Sequence, residues 1–378
     1  MITVEALPAR AGDCLWVEWD DGGRRRRMLI DGGTVGAGPA LAERFARQPV
    51  GERDFELIVC THLDDDHIGG LLALLTSPPE GFGTRDIWFN GQRHLLPPDM
   101  LGMPKAEKLT ALLAAAGTPW NAATGGRAVV VPTDDGEPLP VVELPGLTLT
   151  LLSPTFEGLA ALRDTWDEWQ AEQRRKARGE PPAPPDLLGP PQPAEEIPWH
   201  QLALEYTPDK APANGSSIAF CAEHTGDGSR VLFTGDAHAE VLVGSLERLA
   251  SDGRYRVDLC KVPHHGSAHN TSPELLAVLD CDQWLITTHG GHKVRGDKPE
   301  YLPSEGSHPS RPTMARLVLG TRWPTVWFNY RAPSTERYED GFLQQRLGFS
   351  AKYPPHGTGG ITLVVERGTV TQAPPPPG

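Results

Sequence analysis

Cysteine is scarce in this chain, long apolar runs are missing, and positive charge is outnumbered. Five cysteines (Cys14, Cys60, Cys221, Cys260 and Cys281) are spread over 378 residues, and no CxxC pair occurs. An odd, scattered set excludes a dense disulfide scaffold and a thiolate zinc site. Cys60, Cys221 and Cys260 lie in or beside apolar strand-like runs, which reads as buried reduced thiols and a cytoplasmic location. No apolar stretch reaches the ~18 residues of a membrane span, so no membrane association is expected. The opening MITVEALPARAGD has no basic segment followed by an apolar one, so no signal peptide is expected. Net charge is −14, from 35 Lys and Arg against 49 Asp and Glu. That sign argues against broad binding to duplex nucleic acid. It leaves open phosphoester chemistry at a metal centre, where bound cations bring their own positive charge.

What the chain does have is glycine (41) and proline (38), so many loops, and a length that carries a sizeable core. ITVEAL (2–7), CLWVEW (14–19) and RRRRMLID (24–31) read as strands, with DDGG (20–23) as a hairpin turn. ELIVC (56–60), DIWFN (86–90), AVVVP (128–132) and LTLTLLSP (147–154) read as further strands. LLALLT (71–76) and PKAEKLTALLAAAG (104–117) read as helices. Residues 157–205 change character. Leu159, Leu162, Trp166 and Trp169 have helical spacing, and GEPPAPPDLLGPPQPAEEIP (179–198) is too proline-rich for helix or sheet. The stretch is expected to be an insertion, a helix followed by an exposed arm, read either as a simple surface excursion or as a lid or a site at 179–198 for a regulatory protein or protease. Strands and helices then alternate from 216 to 371, and no internal repeat appears. The expected organisation is one domain over 1–371 with a disordered tail at 372–378. Its class is α/β (α+β), with mixed sheets flanked by helices.

THLDDDHIGG (61–70) sets two histidines and three aspartates directly after the apolar run ELIVC. His62, Asp64, Asp66 and His67 sit where an extended strand gives way to a helix, so their side chains can converge. Gly69 and Gly70 let that helix pack closely. Imidazole and carboxylate suit Zn, Mn or Fe, and four such residues within six positions can serve two ions. Asp236 in LFTGDA, and His264 and His265 in KVPHHGS, end apolar strands in the same way. A lone aspartate at such a place is an ordinary helix cap. Three strand ends bearing metal-type residues together point to a metal centre.

HLDDDHIGG, FTGDA and KVPHHGS resemble the metallo-β-lactamase superfamily. More narrowly they resemble the hydrolase domain of the competence DNA-uptake protein ComEC and its stand-alone soluble relatives. AGDCLWVEW…MLIDGG resembles that branch's opening strands, NGSSIAF its N-x-x-S segment, and SHPS a late His-Pro element. The resemblance spans roughly 1–290 outside the insertion, and extends to 306–320. It implies an αββα sandwich with a two-metal site on one edge. Carried over, His62 and Asp64 hold the first ion, Asp66 and His67 the second, and Asp236 bridges; His264 or His265 completes the second site. Two departures stand out. Asp64 replaces the second histidine of the usual HxHxDH, and the separate histidine before the bridging aspartate is missing, with Asn214, Ser216 and Ser217 in that region. Both make the first site richer in oxygen, so the expected cofactors are two divalent ions, Zn²⁺ or Mn²⁺, with Mg²⁺ also admitted.

The implied activity is a phosphodiesterase or nuclease acting on nucleic acid or nucleotide, with a small or single-stranded substrate favoured by the charge. Asp66 is expected to orient the attacking hydroxide. His308 is the candidate general acid, and Lys261 or Ser267 would stabilise the phosphate. Asp31 is expected beside the metal edge. His238, His269, His289 and His292 are further candidate ligands or supporting groups, and Arg24–Arg27 is either a solvated run or a polyanion contact. The alternatives are a lactone, thioester or β-lactam hydrolase, which the same fold hosts, and an effector gated by a partner or protease.

Overall fold

The computed structural model describes residues 1–95, 104–164, 197–250, 253–290 and 308–374. Its framework starts with a hairpin. β1 (Ile2–Ala6) pairs antiparallel with β2 (Leu15–Asp21), and β2 pairs with β3 (Arg24–Ile30) in a register ending at Asp21 opposite Arg24. Gly22 and Gly23 turn the chain with φ of +59° and +90°, backbone that residues with a Cβ rarely adopt. β4 (Leu57–Val59) and β5 (Ile87–Trp88) add in parallel beyond β3. A second sheet takes β6 (Val141–Leu144), β7 (Leu147–Ser153), β8 (Ala219–His224) and β9 (Arg230–Phe233). It continues with β10 (Leu259–Lys261), β11 (Gln283–Ile286), β12 (Thr325–Phe328) and β13 (Ser350–Lys352). The closing hairpin of β14 (Ile361–Glu366) and β15 (Thr369–Gln372) returns to the first sheet. Strand order is β15-β14-β1-β2-β3-β4-β5 in the first sheet and β13-β12-β11-β10-β9-β8-β7-β6 in the second.

Side chains alternate across each strand, and the alternation separates two cores. Val4, Val17, Met28 and Val59 of the first sheet bury against Leu149, Leu151, Phe220 and Leu232 of the second. From the opposite face of the first sheet, Trp16, Leu29 and Ile58 meet α1 (Gly38–Ala46), α2 (Asp65–Thr76), α3 (Pro104–Ala116) and α4 (Phe156–Asp164). α5 (Ala239–Leu249), α6 (Pro273–Val278) and α7 (Arg311–Gly320) bury Leu242, Leu275 and Met314 in the core shared with the second sheet.

AVVVP does not form a strand. Val129 exchanges both backbone hydrogen bonds with the side chain of Asn90, each 2.8 Å, and only Val131 makes a bridge, to Thr155. An asparagine amide mimics a strand partner here, which apolar content alone does not reveal. Helix α4 is described as far as Asp164, and the rest of the expected helix and most of the proline-rich arm, 165–196, lie outside the described residues. The returning end of that stretch is packed. Ile197 and Trp199 are buried, and Trp199–Leu204 forms a short helix beside α7. Gln372, expected in the tail, closes β15, and Ala373 N donates to Thr362 O at 2.9 Å; 375–378 lie outside the described residues.

The arginine run divides: Arg24 and Arg25 are exposed, whereas Arg26 and Arg27 turn inward to carboxylates. Arg26 pairs with Asp21 (2.7 Å) and Glu56 (2.8 Å), Arg27 with Glu18 (2.7 Å), and Arg25 with Glu18 (3.4 Å). Arg27 is 4% exposed, and a guanidinium at that depth needs a carboxylate partner. Glu18 on the neighbouring strand supplies it, with Glu52 adding a second at 3.2 Å. All five cysteines are buried and free. Among the described residues no helix is long and apolar enough to cross a membrane.

Candidate metal centre

Parallel strands carry their carboxyl ends to one edge. β3 and β4 do so in the first sheet, and β9, β10 and β11 in the second. The residues just past those ends are Asp31, His62, Asp236, His265 and Thr287. The two sheets therefore deliver their polar strand ends to a common place.

Helix α2 begins inside the ligand motif, with Asp64 as its N-cap. His67 lies in its first turn, fully buried. Its Nδ1 is 2.8 Å from Asp31 Oδ2, and Asp31 also accepts from Thr61 N and Thr61 Oγ1, both at 2.7 Å. Asp31 thus fixes the ring so that Nε2 faces Asp236 Oδ2 at 3.3 Å. His62 is held through Nδ1 by Thr61 Oγ1 (3.0 Å) and Ser217 Oγ (3.1 Å), and its Nε2 lies 3.8 Å from Asp236 Oδ2. His264 and His265 are consecutive, with φ of +46° and +52°. That left-handed pair lets both rings turn towards the centre. Their Nε2 atoms are 3.6 and 3.7 Å from the same oxygen. Four imidazoles therefore surround one carboxylate oxygen.

The two carboxylates of the motif's outer rim are more open. Asp66 Oδ2 is 3.6 Å from His265 Nε2 with the side chain about a third exposed, and Asp64 Oδ2 is 3.7 Å from His62 Nε2 with half of the side chain exposed. His62, His67 and Asp236 can hold an ion together, as can Asp66, His67 and His265. His62 Nε2 and Asp236 Oδ1 are buried with no hydrogen-bond partner. An unpaired polar atom in the interior costs about 1–3 kcal/mol, and a divalent cation held at His62 Nε2 would remove that cost there. The donor set of imidazole and carboxylate suits Zn²⁺ or Mn²⁺.

The electrostatics also favour positive charge. Burial works against a protonated His67, but the charges of Asp236 and Asp31 outweigh it and hold the ring's pKa well above the ordinary histidine value. Burial likewise opposes ionised Asp236, yet the surrounding imidazoles hold its carboxyl well below the ordinary range. His264 is pushed up to about 9, burial being outweighed by Asp236 and by Asp209. The pocket attracts cations, and protons and metal ions compete for it.

The two histidines of KVPHHGS are not equivalent. His265 is buried, with Nδ1 against Thr287 O at 2.9 Å and Asp13 Oδ1 at 3.3 Å. His264 is a quarter exposed, and its Nδ1 meets Asn270 Oδ1 at 2.9 Å and Asp209 Oδ2 at 3.7 Å. His308 lies at the rim, its ring centroid 5.1 Å from that of His264 and 6.3 Å from that of His265.

Lys261 and Ser267 are not placed to grip a phosphate. Lys261 is 1% exposed and sits behind Asp236, paired with Asp13 at 2.5 Å. Ser267 is buried, and its Oγ accepts from His269 N at 3.2 Å. His238 and His269 are turned to backbone carbonyls of Ala211 (3.0 Å) and Thr207 (2.7 Å). His289 packs near Tyr330, with centroids 5.7 Å apart, and His292 lies outside the described residues. Sequence reasoning missed the anchoring roles of Thr61, Ser217, Thr287, Asp209 and Asn270. Single hydroxyls, amides and loop acids carry no spacing signal. Asp13, in the GD segment, was the one with a readable context.

The family model described as the Metallo-beta-lactamase superfamily matches residues 7–82. No match to the sequence is found among curated proteins. Among solved structures, the chain is similar to human tRNase Z, short form, at 13% identity over 76% of this chain and 92% of that one, with a TM-score of 0.38. It is similar to the metallo-beta-lactamase fold protein YhfI from Bacillus subtilis at 11% identity, over 98% and 99% of the two chains, TM-score 0.37. A metallo-beta-lactamase from Cronobacter sakazakii shares 13% identity over 65% of this chain and 70% of that one, TM-score 0.29. With residues 7–82 matching the superfamily and two mixed sheets packed between helices, the chain has the metallo-β-lactamase fold.

Proposed function

We propose that this chain is a metal-dependent hydrolase of phosphodiesters, acting on a nucleotide or on single-stranded nucleic acid. One observation carries the reading: four imidazole Nε2 atoms stand 3.3–3.8 Å from Asp236 Oδ2, at an edge where Asp64 and Asp66 are open to solvent. His67, His265 and Asp66 would hold one ion, His62 and Asp64 the other, with Asp236 between them. Divalent ions at such a site supply an acidified water and neutralise charge on a phosphoryl oxygen.

The chain's own residues do the rest. Asp31 and the Thr287 carbonyl keep His67 and His265 in the tautomers that present Nε2. Asp66, on the open side, would orient the attacking water by accepting a hydrogen bond from its O–H. His264 and His308 line the rim beside it, where a leaving oxygen needs a proton. Asp209 and Asn270 fix the direction of the His264 ring. The acidic net charge favours short or flexible substrates over duplex.

The test is metal content of the purified protein, with cleavage of single-stranded DNA, duplex DNA, RNA, cyclic nucleotides and a lactone. Each is assayed with Zn²⁺, Mn²⁺ and Mg²⁺. Metal-dependent phosphodiester cleavage, lost in Asp236→Ala and in His67→Ala, is expected. Turnover of the lactone alone would replace this reading with the carboxyl-ester alternative.

A further inference from the structure

Lys261 stands in a place where a lysine is expensive. It is 1% exposed, and burying an ammonium costs several kcal/mol unless it is paired. Its Nζ lies 2.5 Å from Asp13 Oδ2, 3.0 Å from the Gly235 carbonyl and 3.7 Å from Asp236 Oδ1. Asp236 Oδ1 is the atom that lacks a hydrogen-bond partner. Asp13 accepts from the Thr287 hydroxyl through its other oxygen, which also stands 3.3 Å from His265 Nδ1. Asp13, Asp236 and His265 each offer a ligand atom within 4.8 Å of the others. The ammonium rests against both carboxylates of that trio.

We infer that Lys261 is a positioning residue, a tethered cation that holds the ligands Asp236 and His265 from behind. The inference rests on the metal-centre reading above. The ammonium attracts Oδ1 of Asp236 and so leaves Oδ2 for the imidazoles. It also satisfies Asp13, which then steadies the Nδ1 side of His265 without competing for the metal. Without a positive charge at 261, two buried carboxylates share one space. Asp13 then draws on His265, and Asp236 loses its reason to keep one oxygen turned away. This explains why the loop carrying GD at 12–13, ahead of β2, and a strand ending in LCK at 259–261 meet behind the same ligand, although neither Asp13 nor Lys261 faces the open side.

Lys261→Met keeps most of the volume and removes the charge. It leaves Asp13 uncompensated, so a loss of stability is expected in the single variant. The deciding protein is the double variant Lys261→Met/Asp13→Asn, with Thr287→Val run alongside as a mild variant that keeps both charges. Mn²⁺ affinity is read by calorimetry, ligand geometry by the visible spectrum of bound Co²⁺, and folding by melting of the metal-free protein. The expected result is a double variant that melts near wild type yet binds Mn²⁺ at least about tenfold more weakly, with an altered Co²⁺ spectrum. Thr287→Val, which takes the hydroxyl from buried Asp13, should bind more weakly and melt somewhat lower. Wild-type Mn²⁺ affinity and Co²⁺ spectrum in a folded double variant would overturn the inference and leave Lys261 as filler, and a double variant that does not fold would overturn it by making the role of Lys261 structural. A wild-type protein that binds neither ion would instead remove the metal-centre reading on which it rests.

Discussion

Asp31 occupies left-handed backbone, φ +56°, which costs a residue with a Cβ roughly 1–2 kcal/mol. The return on that strain is a carboxylate that accepts from Thr61 N, Thr61 Oγ1 and His67 Nδ1 at once. An asparagine side chain accepts through one oxygen only, so Asp31→Asn sets an amide against a donor. The expectation is a roughly 10–100-fold loss of metal affinity with secondary structure retained, read by competition against a chelator. The neighbouring histidines divide in the same experiment. His265 is buried and belongs to the compact ligand groups, whereas His264 is engaged by Asn270 and Asp209 at the rim. His265→Ala should lose metal affinity at least about 10-fold, while His264→Ala keeps it and loses turnover. Equal losses of metal in both variants would make His264 a ligand.

At the scale of elements, the site depends on how closely α2 approaches the loops before β2 and after β3. A Cβ on Gly70 would stand 1.9 Å from Gly32 O, and one on Gly12 would stand 1.6 Å from Asp66 O. Gly70→Ala gains ~1 kcal/mol of helix propensity but forces backbone apart, an overpacking cost of ~3 kcal/mol. A net destabilisation of ~2 kcal/mol is expected from the denaturant midpoint, with weaker metal binding because His67 and Asp31 separate. This contact was legible in the sequence, since a Gly-Gly pair directly after ligand residues has few other uses. The strand ends bearing His62, Asp236 and His265 were legible for a related reason: apolar runs stop where polar ligands start. AVVVP misled because its partner is a side chain. Val141–Leu144 passed unread because it is an edge strand with half its residues exposed. Lys261 was read as a phosphate contact because sequence gives the order of residues along β10 but not the depth at which the strand ends.

The whole molecule combines an acidic exterior with a site whose cations come from outside. Acid should expose one consequence. Burial and the charge of Arg93 hold His94 down to about 4, and burial and Arg10 do the same to His289. The unfolded chain takes up those protons near pH 6.5. Between about pH 6.5 and 4 the unfolded state therefore binds more protons, and stability falls as pH drops through that window. Discounted for partial exposure, roughly 1–2 kcal/mol rests on the two rings together, and His94→Gln should flatten part of the slope in chemical denaturation. Salt exposes the other consequence. A net charge of −14 repels a polyanion until ions screen it, over about 10 Å at 0.1 M. With divalent metal saturating, kcat/KM for an oligonucleotide should rise about two- to tenfold between 20 and 200 mM salt, while a mononucleotide diester changes little. The arginines of β3 give no reason for the opposite trend, because Glu18, Asp21 and Glu56 hold three of them in ion pairs. A steep fall with salt would mean that the approach to the site is governed by a local positive surface, and the preferred substrate would then be a longer strand than the one proposed here.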